Sequence, residues 1–290
     1  MKISLITTLP SLVENKRIEE EVRNLGHEFE LIDLGNFNFF IRDGKVNVPQ
    51  LEGLSTDIII MRGIFNSIKA ISVVVGRLRE KGAKIFDNNF LEHRYSIDKV
   101  TDLIKLSNAA ISVPNTVYVR EFKEYKSAIE KVGFPVVIKS SRMGKGANVF
   151  KINSPDGLST FINEAESQEK SAKGYIIQEF IHYKYDLRCL IIGKSVFTMR
   201  RIPKEGEFRA NFSLGGSVEP FDLDEEGEKL AISALDAVNM SVGGVDILIT
   251  DDGKRYILEV NHTAGFVGME EATGKNIGKL YVEHAIAQAR

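Results

Sequence analysis

Residues 245–261 read VDILITDDGKRYILEVN, two apolar segments on either side of an acidic turn. Asp-Gly between apolar runs is a strong signal for a β-hairpin. With Asp252-Gly253 as the two turn residues, Asp246 lies directly opposite Glu259. The sequence therefore predicts a hairpin that brings two carboxylates together.

The face of this hairpin that carries the carboxylates also carries apolar side chains. The same turn places Leu248 opposite Ile257, and side chains alternate between the two faces of a strand. We therefore expect this face to lie inside the protein. A shift of one residue in register would turn the whole set to the other face.

The two opposed carboxylates need a counter-charge, because directly opposed residues have Cβ atoms about 5 Å apart, where like charges are destabilising. A divalent cation is the natural partner for Asp246 and Glu259. Asn261 lies on the same face and adds a carbonyl oxygen. Two carboxylates and an amide oxygen suit Mg²⁺, which keeps other positions for water and phosphate oxygens. We predict a magnesium site here, with a solvated hairpin and chance pairing as the alternative.

A second candidate site joins an apolar strand to a loop of small residues. Residues 134–139 read FPVVIK, and residues 140–147 read SSRMGKGA. Gly144 and Gly146 allow backbone N–H groups to approach an anion closely, and Lys139 could neutralise a phosphate. The pattern is compatible with a nucleotide site, and an ordinary surface loop is the alternative.

Three further segments carry candidate binding residues. Residues 178–181, QEFI, form a strand end that could present backbone groups to adenine, or an ordinary core strand. Lys99 begins a helix, where a solvated lysine is the alternative. Residues 199–211 read MRRIPKEGEFRAN, and arginines suit bidentate capture of carboxylates and phosphates, although a salt-bridged loop has the same composition. Asp186 and Arg188 share a strand face as an ion pair or as part of the same anion site.

Composition sets limits on the class of protein. The 290 residues are 43% apolar and 27% charged, and 38 basic residues against 40 acidic ones give a net charge of −2. This balance indicates a globular protein and does not require nucleic acid or a membrane as partner. Cys189 is the single cysteine, which excludes an internal disulfide; we expect a buried hydrophobe rather than a nucleophile. No signal peptide or run of about 18 apolar residues is evident, so we expect a cytoplasmic protein.

The order of predicted elements indicates an α/β (α+β) fold in three units. In residues 1–90, strands and helices alternate, which favours a parallel sheet with helices on its faces. The first helix is predicted to start at a capping box of Ser11 and Glu14 and to end at Gly26. The three predicted units are residues 1–90, 91–185 and 186–290. After the first helix, further helices are predicted at residues 68–81, 96–108, 122–132, 225–239 and 276–288.

From residue 97 onward these segments, taken in order, resemble the ATP-grasp superfamily, and specifically its RimK-type carboxylate–amine ligases. The combination of residues 205–211, EGEFRAN, with residues 258–261, LEVN, is the most specific part. Residues 1–90 agree only in their rhythm of strands and helices. The resemblance implies an ATP-grasp fold with an N-terminal Rossmann-like pre-ATP-grasp domain, a central subdomain with the Gly-rich lid, and a C-terminal subdomain with the magnesium hairpin.

The resemblance also implies roles for three groups of residues. The first group binds ATP and comprises Lys99, Lys139, Gly144, Gly146, Gln178, Glu179, Phe180, Asp186, Arg209, Ala210 and Asn211. The second acts on the carboxylate or the acyl phosphate and comprises Arg188, Arg201 and Arg209. The third holds Mg²⁺, or Mn²⁺, and comprises Asp246, Glu259 and Asn261.

The implied reaction joins a carboxylate to an amine. ATP phosphorylates the acceptor carboxylate, and the amine of an amino acid then displaces phosphate. We expect addition of glutamate or another α-amino acid to a protein C-terminus or peptide. The alternatives are a small-molecule acceptor such as a pterin or deazaflavin coenzyme, a carrier-protein-bound intermediate of lysine or arginine biosynthesis, a small-molecule kinase, and a regulator that binds nucleotide without turnover. Because relatives often form dimers or tetramers, we expect a homo-oligomer.

Two departures from the family's pattern bear on the acceptor. Leu214 stands where relatives often have arginine, and His262-Thr263-Ala264 stands where they often have Ser-Ser-Pro or Ala-Ser-Pro. The Asn-His-Thr stretch is similar to that of ligases acting on amino-group carrier proteins. His262 is therefore either a substrate contact or a structural histidine.

Overall fold

The computed structural model describes residues 1–35, 38–64, 75–76, 78–86, 98–141, 148–204, 206–209 and 217–289. Three larger sheets and a small hairpin organise these parts of the chain. None of the helices in the described ranges is long and apolar enough to cross a membrane.

The N-terminal sheet is parallel throughout, as predicted. It comprises β1 (Lys2–Thr7), β2 (Glu28–Asp33) and, after the hairpin of β3 (Phe40–Arg42) and β4 (Lys45–Asn47), β5 (Ile58–Met61) and β6 (Lys84–Phe86), in the spatial order β2-β1-β5-β6. Helix α1 (Val13–Asn24) connects β1 to β2 and packs Ile18 and Val22 against the sheet. Of the predicted helix over residues 68–81, residues 75–76 and 78–80 are helical, Lys81 lies in a turn, and residues 68–74 and 77 lie outside the described residues.

The predicted capping box at the start of α1 is wrong. The N-cap residue is Leu12, and no side chain caps the helix. A turn closed by the Leu12 N–H and the Leu9 carbonyl moves the start, and Asn15 Nδ2 donates to Leu9 O at 2.8 Å. The predicted end is confirmed, because Gly26 follows the C-cap with a φ of 77°, a conformation that favours glycine.

The second sheet is antiparallel and carries helices on one face. After α2 (Lys99–Asn108) come β7 (Thr116–Val117), α3 (Tyr125–Val132), β8 (Val136–Ser140), β9 (Val149–Ile152), α4 (Pro155–Ser167) and β10 (Tyr175–Glu179), with the strands in the order β7-β10-β8-β9. Tyr125 and Phe161 of the helices pack on Ile138 and Ile177 of the strands. Because Lys139 follows Ile138 along β8, its side chain points to the opposite face.

The third sheet is also antiparallel. Its strands are β11 (Tyr185–Ile192), β12 (Ser195–Ile202), β13 (Ser217–Pro220), β14 (Val242–Ile249) and β15 (Arg255–Asn261), in the spatial order β13-β12-β11-β14-β15. Helix α5 (Glu225–Ala237) lies between β13 and β14 in the chain. Helix α5 packs on Leu187, Cys189 and Ile247. Cys189 is fully buried in this core, which confirms that it is a buried hydrophobe, and burial raises the pKa of its thiol to about 12.

The hairpin of β14 and β15 pairs Asp246 with Glu259 as predicted, but the register changes beyond that pair. A bulge follows Asp246, and Leu248 then pairs with Tyr256, so its predicted pairing with Ile257 is wrong. The cause is a longer turn: the Thr250 N–H donates to the Lys254 carbonyl at 3.1 Å and leaves residues 251–253 as the loop. The extra loop residue and the bulge offset each other, which preserves the carboxylate pair.

The chain ends by returning to the N-terminal sheet. Helices α6 (Val267–Thr273) and α7 (Ile277–Gln288) follow β15, and Phe266 and Tyr281 share one core with Ile3, Leu5 and Phe86. The Arg17 Nε of α1 also pairs with Glu270 of α6 at 2.9 Å. The three sheets fall within residues 2–86, 116–179 and 185–261, and we propose residues 1–90, 91–185 and 186–290 as the corresponding units.

We expect Gly244→Ala to destabilise the protein by about 1–3 kcal/mol, because an added Cβ would lie 2.9 Å from the Ala264 Cβ and 3.3 Å from the Asn261 Cβ. Gly268→Ala is the matched control, since that position in α6 has open space around it, and alanine there is expected to be neutral or stabilising by about 1 kcal/mol at most. Thermal unfolding of both variants tests this; equal midpoints would contradict it.

Candidate active site

A cleft of about 640 Å³ lies between the second and third sheets. Twelve of the predicted site residues line it: Lys99, Lys139, Gln178, Glu179, Phe180, Asp186, Arg188, Arg201, Arg209, Asp246, Glu259 and Asn261. The other predicted residues, Gly144, Gly146, Ala210 and Asn211, lie outside the described residues, as does Leu214. Side chains predicted from separate stretches of sequence thus meet at one place.

One face of the third sheet carries a network of charges. Asp186 pairs with Arg201 across β11 and β12, and Arg188 pairs with Asp246 across β11 and β14. The intervening residue, Leu187, points into the apolar core on the other face. This alternation explains how β11, a mostly apolar strand, places two charged side chains, Asp186 and Arg188, in the cleft.

The carboxylate of Asp246 contacts two guanidinium groups. Arg188 Nη2 donates to Asp246 Oδ2 at 2.8 Å, and Arg201 Nη2 lies 3.0 Å from the same oxygen. Arg201 also holds Asp186, with 2.5 Å between Nε and Oδ1. Burial alone would raise the pKa of Asp246, but Arg188 and Arg201 outweigh it and lower that pKa below its ordinary value. For Asp186 burial outweighs Arg201 and raises the pKa to about 6.

The opposed carboxylate, Glu259, is held by weaker contacts. Lys99 Nζ lies 3.4 Å from Glu259 Oε2, and Asn261 Nδ2 donates to Glu259 Oε1 at 3.4 Å. Lys99 is placed by the start of α2, where the Asp98 carboxylate accepts from the Thr101 N–H. The counter-charge that the sequence argument assigned to a metal is therefore supplied here by basic side chains.

The oxygen donors nevertheless fit a hard cation. Asp246 Oδ1 is buried and accepts no hydrogen bond from the described residues, although Arg188 Nε lies beside it. Across those residues no three His, Cys, Asp or Glu side chains converge as a metal site. Two carboxylates and the amide of Asn261 are a donor set that suits Mg²⁺ with water and phosphate oxygens completing its coordination.

Lys139 lies in the floor of the cleft and is 5% exposed. Its Nζ donates to the Leu258 carbonyl, in the bulge of the hairpin, at 3.4 Å. Burial lowers the pKa of Lys139 to about 8, and Glu259 opposes that shift. The neutral amine therefore becomes the main form above about pH 8, and the ammonium below it.

The strand end at residues 178–180 already uses several of its polar groups. Gln178 Nε2 donates to Thr116 Oγ1 at 2.8 Å, and the Glu179 carboxylate accepts from the Asn115 backbone and side-chain amides at 2.9 and 2.8 Å. The Phe180 N–H donates to the Pro135 carbonyl at 3.0 Å. Adenine recognition by Phe180 would therefore have to use its carbonyl or its ring rather than its N–H.

Arg209 lines the cleft from the loop after β12. Its Nε and Nη2 donate to the two Glu207 carboxylate oxygens at 3.0 and 2.8 Å, and this hydrogen bonding lowers the pKa of Glu207 to about 2. Tyr183 supports the loop, since its hydroxyl donates to the Phe208 carbonyl at 2.6 Å. The described part of the arginine-rich segment thus closes one end of the cleft.

Arg62, just after β5, was not among the site residues predicted from the sequence. Arg62 is 4% exposed and donates from Nη2 to the Ala264 carbonyl at 2.6 Å, with Phe266 and Tyr281 rings beside its guanidinium. It thereby fixes residues 263–265, which line the cleft. A charged residue at the end of an apolar strand was the only local signal.

His262 lies behind the cleft wall rather than in the cleft. Its Nε2 is 2.9 Å from Asp102 Oδ2 of α2, and both side chains are buried. Of the two interpretations of His262, the structure favours the structural histidine. Helix α2 thus makes two contacts around the end of β15, at Glu259 through Lys99 and at His262 through Asp102.

We expect the Lys139 amine to titrate near pH 8 instead of its ordinary 10.5, because it is buried beside Lys99. Reductive ¹³C-methylation of the lysines followed by an NMR pH titration measures this. Lys139→Arg identifies the resonance by its loss. Lys254, whose pKa is raised by its contact with Asp252, is the internal control. A Lys139 resonance that titrates near 10.5 would show that the site is not desolvated.

Comparison with known proteins supports one family. A family model described as "RimK-like ATP-grasp domain" matches residues 96–284. A probable alpha-L-glutamate ligase 2 of Shewanella amazonensis is 33% identical over 295 residues, which cover 98% of this chain and 95% of that protein. A probable alpha-L-glutamate ligase of Teredinibacter turnerae is 32% identical over 296 residues, which cover 100% and 97%.

Solved structures of low sequence identity share the fold. The ATP-grasp ligase PsnB in complex with a minimal precursor has a TM-score of 0.73 and 20% identity, with 99% of this chain and 98% of that chain covered. A RimK domain ATP-grasp protein from Sphaerobacter thermophilus has a TM-score of 0.72 and 18% identity, with 98% and 99% covered. Another PsnB structure also contains Mg and ADP.

These similarities cover most of the chain. The predicted ATP-grasp fold is confirmed by the structural similarity, and the predicted family by the model match and the full-length relatives. This chain belongs to the RimK-type ATP-grasp ligases, enzymes that use ATP to form carbon–nitrogen bonds.

Proposed function

We propose that this enzyme uses Mg·ATP to add glutamate to the C-terminus of a peptide or protein. The observation that carries the proposal is the meeting of Asp246, Glu259, Lys139 and Arg188 in one cleft. Relatives named probable alpha-L-glutamate ligase along the whole chain support glutamate as the amine. PsnB, which shares the fold, has been solved with a precursor peptide, and this supports a peptide acceptor.

One end of the cleft suits the phosphates of ATP. Lys99 and Lys139 supply positive charge there, and Asp246, Glu259 and Asn261 would hold the metal. Magnesium, when bound, offsets the negative charge of the phosphate oxygens. Lys99 Nζ lies 3.4 Å from Glu259 Oε2, and Lys139 Nζ lies 3.4 Å from the neighbouring Leu258 carbonyl, so both lysines would add positive charge close to the proposed metal ligands.

The two arginines that contact Asp246, Arg188 and Arg201, suit the acceptor. Arg188 and Arg201 can pair with a carboxylate before transfer and with the acyl phosphate after it. The γ-phosphoryl group of ATP moves to a carboxylate oxygen and ADP leaves. The amine nitrogen then attacks the carbonyl carbon, phosphate leaves, and the nitrogen loses a proton. Most of the catalytic task is positioning and charge stabilisation, together with exclusion of water from the acyl phosphate.

The structure bears on one alternative acceptor. The similarity of the Asn-His-Thr stretch to ligases of carrier proteins would favour a carrier-bound acceptor if His262 contacted substrate. Because His262 is buried against Asp102, that stretch gives no support to a carrier-bound acceptor. A peptide is therefore the acceptor that we propose.

We expect Asp246→Asn and Glu259→Gln to lower ATP turnover on the order of a hundredfold or more, since each removes a charge on which phosphate positioning depends. Phosphate release measures turnover, and circular dichroism checks the fold. Asp251→Asn, an exposed residue in the turn of the same hairpin, is the control and should keep wild-type activity. Full activity in both test variants would contradict the assignment of Asp246 and Glu259 to the site.

Product analysis tests the reaction itself. With Mg·ATP, glutamate and a panel of peptides, we expect mass spectrometry to show peptides heavier by one or more glutamate residues, and no adduct when ATP or glutamate is omitted. The other amino acids, each supplied singly, test selectivity for the amine. A phosphorylated acceptor that accumulates without further reaction when glutamate is present would instead identify a kinase.

A further inference from the structure

Asp246 is the carboxylate on which two of the cleft's arginines, Arg188 and Arg201, converge. It is 3% exposed, and Arg188 and Arg201 both contact its Oδ2, at 2.8 and 3.0 Å. In the proposed function the same carboxylate is a magnesium ligand. One buried group is therefore shared between a metal and two guanidinium groups.

The two arginines differ in what else they contact. Arg201 has a second carboxylate, Asp186, at 2.5 Å, and is itself largely buried. Among the described residues, the structure gives Arg188 contacts with one carboxylate, that of Asp246. The Arg188 side chain is also more open, at 26% exposure, and lines the cleft. Loss of Asp246 as a partner would thus affect Arg188 most.

A magnesium ion on Asp246 competes with Arg188. The ion binds carboxylate oxygens at about 2 Å and carries two positive charges, so it would repel a guanidinium that contacts the same carboxylate. A partly buried guanidinium without an anion is unfavourable. Its planar set of donors matches the two oxygens of a carboxylate or a phosphoryl group.

We propose that Arg188 is an oxyanion receptor that becomes available only when the metal occupies Asp246, so that the acceptor carboxylate or acyl phosphate binds after the metal. The proposal rests on the proposed function for the placement of the metal. It adds an order of binding: without metal, Asp246 occupies Arg188 and blocks the acceptor. With metal, Arg188 turns to the incoming oxyanion.

Anion binding to the metal-free protein tests the receptor without any turnover. Isothermal titration calorimetry with inorganic phosphate and, separately, acetate compares wild type with Asp246→Asn, whose neutral amide cannot pair with Arg188. We expect at least one probe to bind tenfold or more tightly to Asp246→Asn. A gain with acetate alone identifies the carboxylate as the natural ligand, and a gain with phosphate alone identifies the phosphoryl group.

Two variants separate this effect from a simple change in charge. Asp186→Asn removes one negative charge from the same cleft but leaves the pair of Arg188 and Asp246. Its affinity for the anion should therefore rise much less than that of Asp246→Asn. Asp246→Asn combined with Arg188→Met should lose the gain. Equal gains in Asp186→Asn and Asp246→Asn, or a gain that persists without Arg188, would overturn the proposal.

A measurement on the wild-type chain covers the case in which Asp246→Asn fails to fold. Acetate should bind tenfold or more tightly in the presence of Mg·ADP than in the presence of metal-free ADP, and Arg188→Met should abolish the difference. No difference in the wild type would contradict the proposal. If Mg·ADP strengthens acetate binding but no peptide product forms, the proposed peptide acceptor is wrong, while the role of Arg188 as an oxyanion receptor still holds.

Discussion

The desolvation of Asp246 is the constraint on which the rest of the cleft depends. A carboxylate that is 3% exposed stays ionised only if cations contact it. The register of the sheet supplies Arg188 directly opposite, and Arg201 from the strand beyond. Since Arg201 also contacts Asp186, the burial of one group sets the positions of three others. The apolar back of the same sheet, packed on α5, holds the strands that carry them.

The pairing of Asp246 with Glu259 could be predicted because it depends on local signals, an Asp-Gly turn and the alternation of side chains. The register between the turn and this carboxylate pair could not be predicted. A three-residue loop and a bulge both change the register by one residue, in opposite senses. Asp-Gly, with Gly253 at a φ of 80°, suits a two-residue turn and a three-residue loop equally, so the sequence does not distinguish them. The start of α1 was missed for a similar reason, since the turn before it competes with the side-chain cap that Ser11 would have formed.

Most cleft-lining charges were identifiable because a charged residue stands out on an apolar strand, as Lys139 and Arg188 do. Contacts between distant parts of the chain were not. The hydrogen bond from Arg62 to Ala264 joins residues 202 positions apart, and no local pattern reports it. His262 shows the same limit, because its partner Asp102 is 160 positions away and decides which of two interpretations holds.

The core shared by the two ends of the chain has a consequence for how such ligases diversify. Residues 1–90 look like an exchangeable module, yet Phe86 packs on Tyr281, and Arg62 holds the cleft wall at Ala264. A chimaera that takes its N-terminal sheet from one relative and the remainder from another would combine two surfaces that were never selected together. New acceptor preferences should therefore arise more readily by substitution within the cleft wall than by recombination of whole domains.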